Sequence, residues 1–257
     1  FFDNKDELLL ISRHGIGFNN VDVRAAKEHG TIVSIVPPLV ERDAVAENAV
    51  ANLMALIRRT VESQDAVKVN EWAKRASFLG INVTGKTVGV IGCGNIGSRV
   101  AEILKFGFNA RLLVVDPKID KEWATKVGAE VVDLEYLLTH ADVISLNASL
   151  NETSKYLIKE REFSLMKKGV YITNTARAEL IEQDALLNAL ERNIVAGYAT
   201  DVMYSEPSFN DHPFIQNNKV LVTPHTSAYT FVCLIGMGVL CVSDVVYLVF
   251  FFLFECV

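Results

Sequence analysis

Arg177, Glu206 and His225 are side chains whose types could together run a redox reaction on a small acid. They stand in Asn174-Thr175-Ala176-Arg177, in the segment Asp201 to Pro207 with its Glu206-Pro207 end, and in Thr223-Pro224-His225. Each fragment follows an apolar run that reads as a buried strand, and ligands of parallel sheets bind at strand carboxyl ends. An arginine can hold a carboxylate through two parallel hydrogen bonds and polarise the neighbouring carbonyl, which a lysine's point charge does less well. A histidine near that carbonyl can donate a proton to its oxygen as hydride arrives, and accept it in reverse. A glutamate hydrogen-bonded to the imidazole fixes its orientation.

Such a reaction needs a hydride carrier, and Gly92-Cys93-Gly94-Asn95-Ile96-Gly97 supplies the place for one. The first glycine permits a tight turn, the second lets backbone approach a pyrophosphate, and the third allows helix to pack closely on strand. The following helix directs its free N–H groups at the phosphates. The motif follows a strand and opens a helix, and Asp116 ends the next strand. A carboxylate there accepts hydrogen bonds from the adenosine ribose and repels a 2'-phosphate, which favours NAD over NADP.

Strand-like runs recur at Thr87 to Ile91, Leu112 to Val115, Val143 to Leu146, Val170 to Thr173, Ile194 to Ala199 and Val220 to Val222. Helix-like stretches lie between them, including Leu134 to Leu138, Glu160 to Met166 and Gln183 to Glu191. Continuous apolar strands separated by helices predict a parallel sheet covered on both faces. Before this block, Leu8 to Ser12 and Thr31 to Val36 read as two strands joined by a helix near Val23 to Glu28. Asp43 can cap a long helix running to about Val69. Two strands are too few to shield each other. This lobe is therefore expected to be completed by a segment before Phe1, by the C-terminal tail, or by a partner chain.

The chain has 257 residues, 50% of them hydrophobic and 22% charged, which places it among globular proteins with a sizeable core. A net charge of -6 argues against a nucleic-acid surface, which needs basic patches. Cys93, Cys233, Cys241 and Cys256 have no metal-ligand spacing and follow no secretory signal, so reduced thiols in the cytoplasm are expected, and no metal site. From Phe231 to Val257 only Asp244 and Glu255 are charged, and about 20 apolar residues suffice to span a bilayer. Ser243 and Asp244 interrupt the run and no Lys or Arg flanks it. The expectation is thus a closing helix buried against the fold or a partner subunit, rather than a membrane span.

With these residues in this order, the chain resembles the D-isomer-specific 2-hydroxyacid dehydrogenase family. The motifs that carry the resemblance are Val88 to Gly97, Ala141 to Leu146, Met166-Lys167-Lys168-Gly169, Asn174 to Arg177, Asp184-Ala185-Leu186, Asp201-Val202 with Glu206-Pro207, and Thr223-Pro224-His225. The resemblance implies NAD-dependent interconversion of a D-2-hydroxy acid and its 2-keto acid. Arg177, Glu206 and His225 become the catalytic trio, with Arg177 on the carboxylate and carbonyl. Gly92, Gly94 and Gly97 shape the cofactor site, Asn95 and Ile96 would meet the pyrophosphate, Asp116 the ribose, and Ala148, Ser149, Thr175, Ala176 and Asp201 the rest of the cofactor. His14 to Asp22 resembles the family's loop whose backbone N–H groups bind the substrate carboxylate, which assigns Gly15, Ile16 and Gly17 to substrate.

The implied architecture is α/β. A Rossmann-type doubly wound parallel sheet at 81–226 is inserted into a smaller, flavodoxin-like α/β substrate domain formed by 1–80 and 227–257. Hinges near 78–84 and 226–229 would let the lobes close and exclude water. The family also suggests a homodimer, with the helix from Asp43 in the interface. Ala178 stands where the family commonly has Gly, Asn147 where His is common, and Ala228 where the D-lactate branch has an aromatic residue. The family's N-terminal part is usually longer. An NAD-sensing, corepressor-like binding protein, or an inactive fragment, would use the same fold without turnover.

Overall fold

The computed structural model describes residues 1–2 and 7–254, and Cys256 lies outside them. In chain order the elements are β1 (Leu10–Arg13), α1 (Val23–Glu28), β2 (Ile32–Ile35), α2 (Leu39–Ile57), α3 (Thr60–Lys68), β3 (Thr87–Ile91), α4 (Asn95–Phe108), β4 (Arg111–Val115) and α5 (Lys121–Val127). They continue with β5 (Glu130–Val131), α6 (Leu134–His140), β6 (Val143–Leu146), α7 (Glu160–Leu165), β7 (Val170–Asn174), α8 (Gln183–Glu191), β8 (Val195–Thr200), α9 (Pro213–Gln216), β9 (Val220–Val222) and α10 (Phe231–Phe254). The chain divides into two compact units, 1–44 with 228–257, and 45–227.

In the larger unit, seven parallel strands run in the order β5-β4-β3-β6-β7-β8-β9. The order reverses between β3 and β6, which makes their carboxyl ends the crevice where doubly wound sheets take ligands. Strands β3, β4, β6 and β7 are almost wholly buried apolar runs because helices cover both faces. On one face Ala46, Ala49, Leu53 and Ile57 of α2 join Val100, Ala101 and Leu104 of α4 against Val88 and Val90. On the other, Leu137, Phe163, Leu186, Tyr198 and Phe214 pack around Leu113, Ile144 and Ile172. Residues 45–80, expected with the smaller domain, therefore group with the larger unit.

The long helix expected from Asp43 to Val69 is two helices. It begins at Leu39 and breaks after Ile57, where Arg59 adopts a left-handed backbone with φ of 53°. The cause is the returning chain: the Ile81 N–H donates to the Ile57 carbonyl at 3.2 Å, and a Cβ on Gly80 would sit 2.3 Å from that oxygen. The orphan carbonyl is satisfied from outside the helix, so the helix can stop there. The short elements α5, β5 and α9 were not expected from periodicity. Helix α5 is set by its ends: Asp120 accepts from the Glu122 and Trp123 N–H groups, and Gly128 closes it at φ 69°.

In the smaller unit, β1 and β2 pair in parallel from Leu10 with Ile32 to Arg13 with Ile35. Helix α10 packs on β1, and its Asp244 accepts hydrogen bonds from Ser12 Oγ at 2.7 Å and Ser34 Oγ at 2.6 Å, one from each strand. The tail is thus one of the three expected completions of this lobe that the fold uses. Val36, Ala44, Cys233 and Met237 form its small core. Phe231–Phe250 has a mean hydropathy of 2.3 and is long and apolar enough to cross a membrane by length and composition, and Phe231, Val232 and Tyr247 are largely exposed.

Candidate active site

The glycines after β3 divide their tasks. Gly92 has φ of +85°, and a Cβ there would lie 2.4 Å from the Ala148 nitrogen, so it is required both by its conformation and by the close passage of the β6 end. A Cβ on Gly97 would lie 1.9 Å from the Gly92 oxygen, which holds α4 tight against the loop. At Gly94 an added Cβ meets nothing within 4 Å. Gly94 is also the N-cap of α4 and offers no side-chain cap, and it and Asn95 are exposed at the start of that helix. Open space before an uncapped helix N-terminus, bounded by loops that admit no side chain, fits a pyrophosphate.

Asp116 ties the loop to the end of β4. One oxygen accepts from the Cys93 N–H at 2.7 Å and the other from the Lys118 N–H at 2.7 Å. The Cys93 thiol is pushed up to about 12, first by burial and then by the negative charge of Asp116. Asn147, after β6, donates to Ser145 Oγ at 3.0 Å, while its Oδ1 is buried with no hydrogen-bond partner among the described residues. Ser149 follows Ala148 and is exposed, and its carbonyl accepts from Ser154 Oγ at 2.6 Å.

After β7, Asn174 builds the turn that carries Arg177. Fully buried, it accepts from the Ala176 N–H at 3.0 Å and donates to the Arg177 carbonyl at 2.9 Å. Thr175 lies half-buried within that turn, and Arg177 Nη1 donates to the Ala176 carbonyl at 2.6 Å. Motif reading included Asn174 but gave it no role. Its signal is type and place: an amide at a strand end can satisfy donor and acceptor of one turn at once.

Asp201, after β8, is 1% exposed and is an anchor. Its carboxylate accepts from Thr223 Oγ1, the Thr226 N–H at 2.9 Å, the Ser227 N–H at 2.7 Å and Ser227 Oγ. Four donors use both oxygens, and all come from the segment that carries His225. Asn52 and Asn48 of α2 brace the same segment through Thr223 Oγ1 at 3.0 Å and Ser227 Oγ at 2.7 Å. Thr223, Thr226, Ser227, Asn48 and Asn52 were not singled out from sequence as site-building residues.

Between these clamps His225 takes a left-handed backbone with φ of 55°, and its Nδ1 lies 2.6 Å from Glu206 Oε2. The other Glu206 oxygen accepts from the Met203 N–H at 2.9 Å. The carboxylate is therefore held by its own loop and in turn fixes the imidazole, leaving Nε2 for other chemistry. Both side chains are open to solvent, at 51% and 39%. Since β7, β8 and β9 are parallel, Arg177, Glu206 and His225 all follow strand ends on one edge of the sheet, the edge that also carries the glycine loop. Among the described residues no group of three or more His, Cys, Asp or Glu could hold a metal ion.

In the smaller unit, Gly15 is buried with φ of +145°, and the Ile16 N–H donates to Glu41 Oε1 at 2.9 Å. Gly17 follows, half-buried.

Residues 50–227 match the family described as D-isomer specific 2-hydroxyacid dehydrogenase, NAD binding domain. The glyoxylate reductase of Thermococcus litoralis is 34% identical over 250 residues, which cover 95% of this chain and 75% of that one. D-3-phosphoglycerate dehydrogenase 2 of Arabidopsis thaliana is 36% identical over 88% of this chain, which spans 36% of that protein's length. The D-lactate dehydrogenase of Aquifex aeolicus, solved with NAD and lactic acid, superposes with a TM-score of 0.83 at 30% identity, covering 94% of this chain and 76% of that one. A glycine loop built for a dinucleotide, on a sheet of this order, is thus shared with enzymes of one family: the chain belongs to the D-isomer-specific 2-hydroxyacid dehydrogenases, and its larger unit contains their NAD-binding domain.

Proposed function

We propose that the protein interconverts a D-2-hydroxy acid and the corresponding 2-keto acid. NAD supplies or accepts the hydride when bound. His225 gives the substrate oxygen a proton from Nε2 during reduction and takes it back during oxidation. Glu206 keeps the ring in the orientation that makes this possible. Arg177 binds the carboxylate and polarises the carbonyl, and the family resemblance assigns the N–H groups of Gly15, Ile16 and Gly17 to substrate. Asn95, Ile96 and Asp116 serve the cofactor's pyrophosphate and ribose, and Ala148, Ser149, Thr175 and Ala176 its remaining length. Asp201 acts through the loop of His225 rather than on the cofactor.

The 2.6 Å Glu206–His225 bond carries this reading, because binding a dinucleotide alone gives no reason to orient an imidazole. The relatives named for glyoxylate and lactate point to small 2-keto acids as the substrate class. A panel of such acids, followed by the absorbance of NADH and separately of NADPH, tests it. Turnover with NADH in preference to NADPH is expected, and NADH binding without turnover on any acid would overturn the assignment. A homodimer follows from the family resemblance and is tested by light scattering. A cytoplasmic location, consistent with free Cys93, Cys233 and Cys241, is tested by fractionation.

A further inference from the structure

The N–H group of Ile16 is already occupied by a carboxylate belonging to the chain itself. Glu41, in the first turn of α2, accepts that bond at 2.9 Å. Gly15 lies beside both this carboxylate and the Arg13 head: a Cβ there would be 3.3 Å from Glu41 Oε1 and 3.3 Å from Arg13 Nη1, close enough that these side chains would have to shift by a few tenths of an ångström. Arg13 Nη1 donates to the His14 carbonyl at 2.9 Å, while its Nε is buried with no hydrogen-bond partner among the described residues.

We infer that Glu41 is an internal competitor for the substrate carboxylate, a specificity device that weakens binding of simple acids until they displace it. The inference rests on the reading of Gly15 to Gly17 as a carboxylate-binding loop. Glu41 and a substrate carboxylate need the same backbone donor, and two like charges sharing it repel each other. Binding therefore requires Glu41 to leave. Arg13, across Gly15 with an unsatisfied donor, gives the displaced carboxylate a partner. A charge-assisted bond of this kind, discounted for solvent access, corresponds to about tenfold in affinity.

The test uses the full chain with NADH bound and oxamate, a carboxylate that hydride cannot reduce, as the probe. Oxamate affinity is measured for wild type, Glu41→Ala and Glu41→Gln, while the Ile16 amide is followed by NMR. The inference expects about tenfold tighter oxamate binding in Glu41→Ala and an intermediate gain in Glu41→Gln, which keeps an acceptor but loses the charge. It also expects oxamate to move the Ile16 amide in all three. Unchanged or weaker binding in both variants, with the amide still responding, would overturn the competitor role and leave the loop assignment standing. An Ile16 amide silent to oxamate in every form would overturn the loop assignment, and the inference with it. NADH binding by each variant reports that it has folded.

Discussion

Asp201→Asn is the substitution whose consequence the structure fixes most fully. Asp201 is 1% exposed and accepts four hydrogen bonds through two oxygens, from Thr223, Thr226 and twice from Ser227. An asparagine turns one acceptor atom into a donor, so one pair of donors must face an NH2 group with no water to relieve it. Charge-assisted bonds contribute roughly 1.5–3 kcal/mol each, and buried donors left unpaired cost about 1–3 kcal/mol. Allowing for some rearrangement of the two Ser227 donors, the loss is about 4 kcal/mol. For a unit of this size each kcal/mol moves Tm by roughly 2–4 °C, so a fall of about 12 °C is expected in a calorimetric scan. The anchored segment carries His225, so kcat falls with it, by about a hundredfold at a temperature where the variant is folded. NADH affinity is expected to change much less. A variant with wild-type Tm and kcat but weakened NADH binding would refute the anchor assignment and return Asp201 to the cofactor.

Gly94→Ala and Gly97→Ala separate ligand space from packing. The first places its Cβ in open space and is expected to leave Tm within about 2 °C while weakening NADH at least tenfold. The second drives its Cβ into the Gly92 carbonyl and is expected to lower both, by about 3 kcal/mol in stability. Burial raises the Asp142 carboxyl, but bonds from Lys167 and the Thr87 N–H, with the nearby Lys86 charge, outweigh it and hold it below its usual range. Because the folded value is the lower one, this stability is present above the unfolded value of about 3.9 and is lost as pH falls through the folded value. Asp142→Asn should cost about 2 kcal/mol at pH 7 in urea melts, with the gap to wild type closing below about pH 4. The Cys93 thiol, at about 12, is expected to react with iodoacetamide at pH 8 about a thousandfold more slowly than a free thiol, read by mass spectrometry.

The central strands of the larger unit, β3, β4, β6, β7 and β8, were legible because they are largely buried under helices on both faces, and a continuous apolar run has few other uses. The glycine loop was legible because its constraints are local: turn, approach and packing fall within six residues. The break at Arg59 was not, since it is imposed by Gly80 and Ile81, which reach the end of α2 from a later part of the chain. Asp201 shows the same limit in a functional residue. A strand-end aspartate reads alike as ligand contact or anchor, and its donors arrive more than twenty residues later. Asp244 read as an interruption of an apolar tail, and only the pairing of β1 with β2 brings Ser12 and Ser34 to it.

The central claim is that His225, held by Glu206, moves the proton while the cofactor site stands on its own. His225→Ala tests it in one protein by measuring turnover of the best 2-keto acid together with the NADH dissociation constant. The account predicts loss of kcat by about three orders of magnitude or more with NADH affinity within about twofold of wild type. Retained turnover, or an equal loss of turnover and NADH binding, would contradict it.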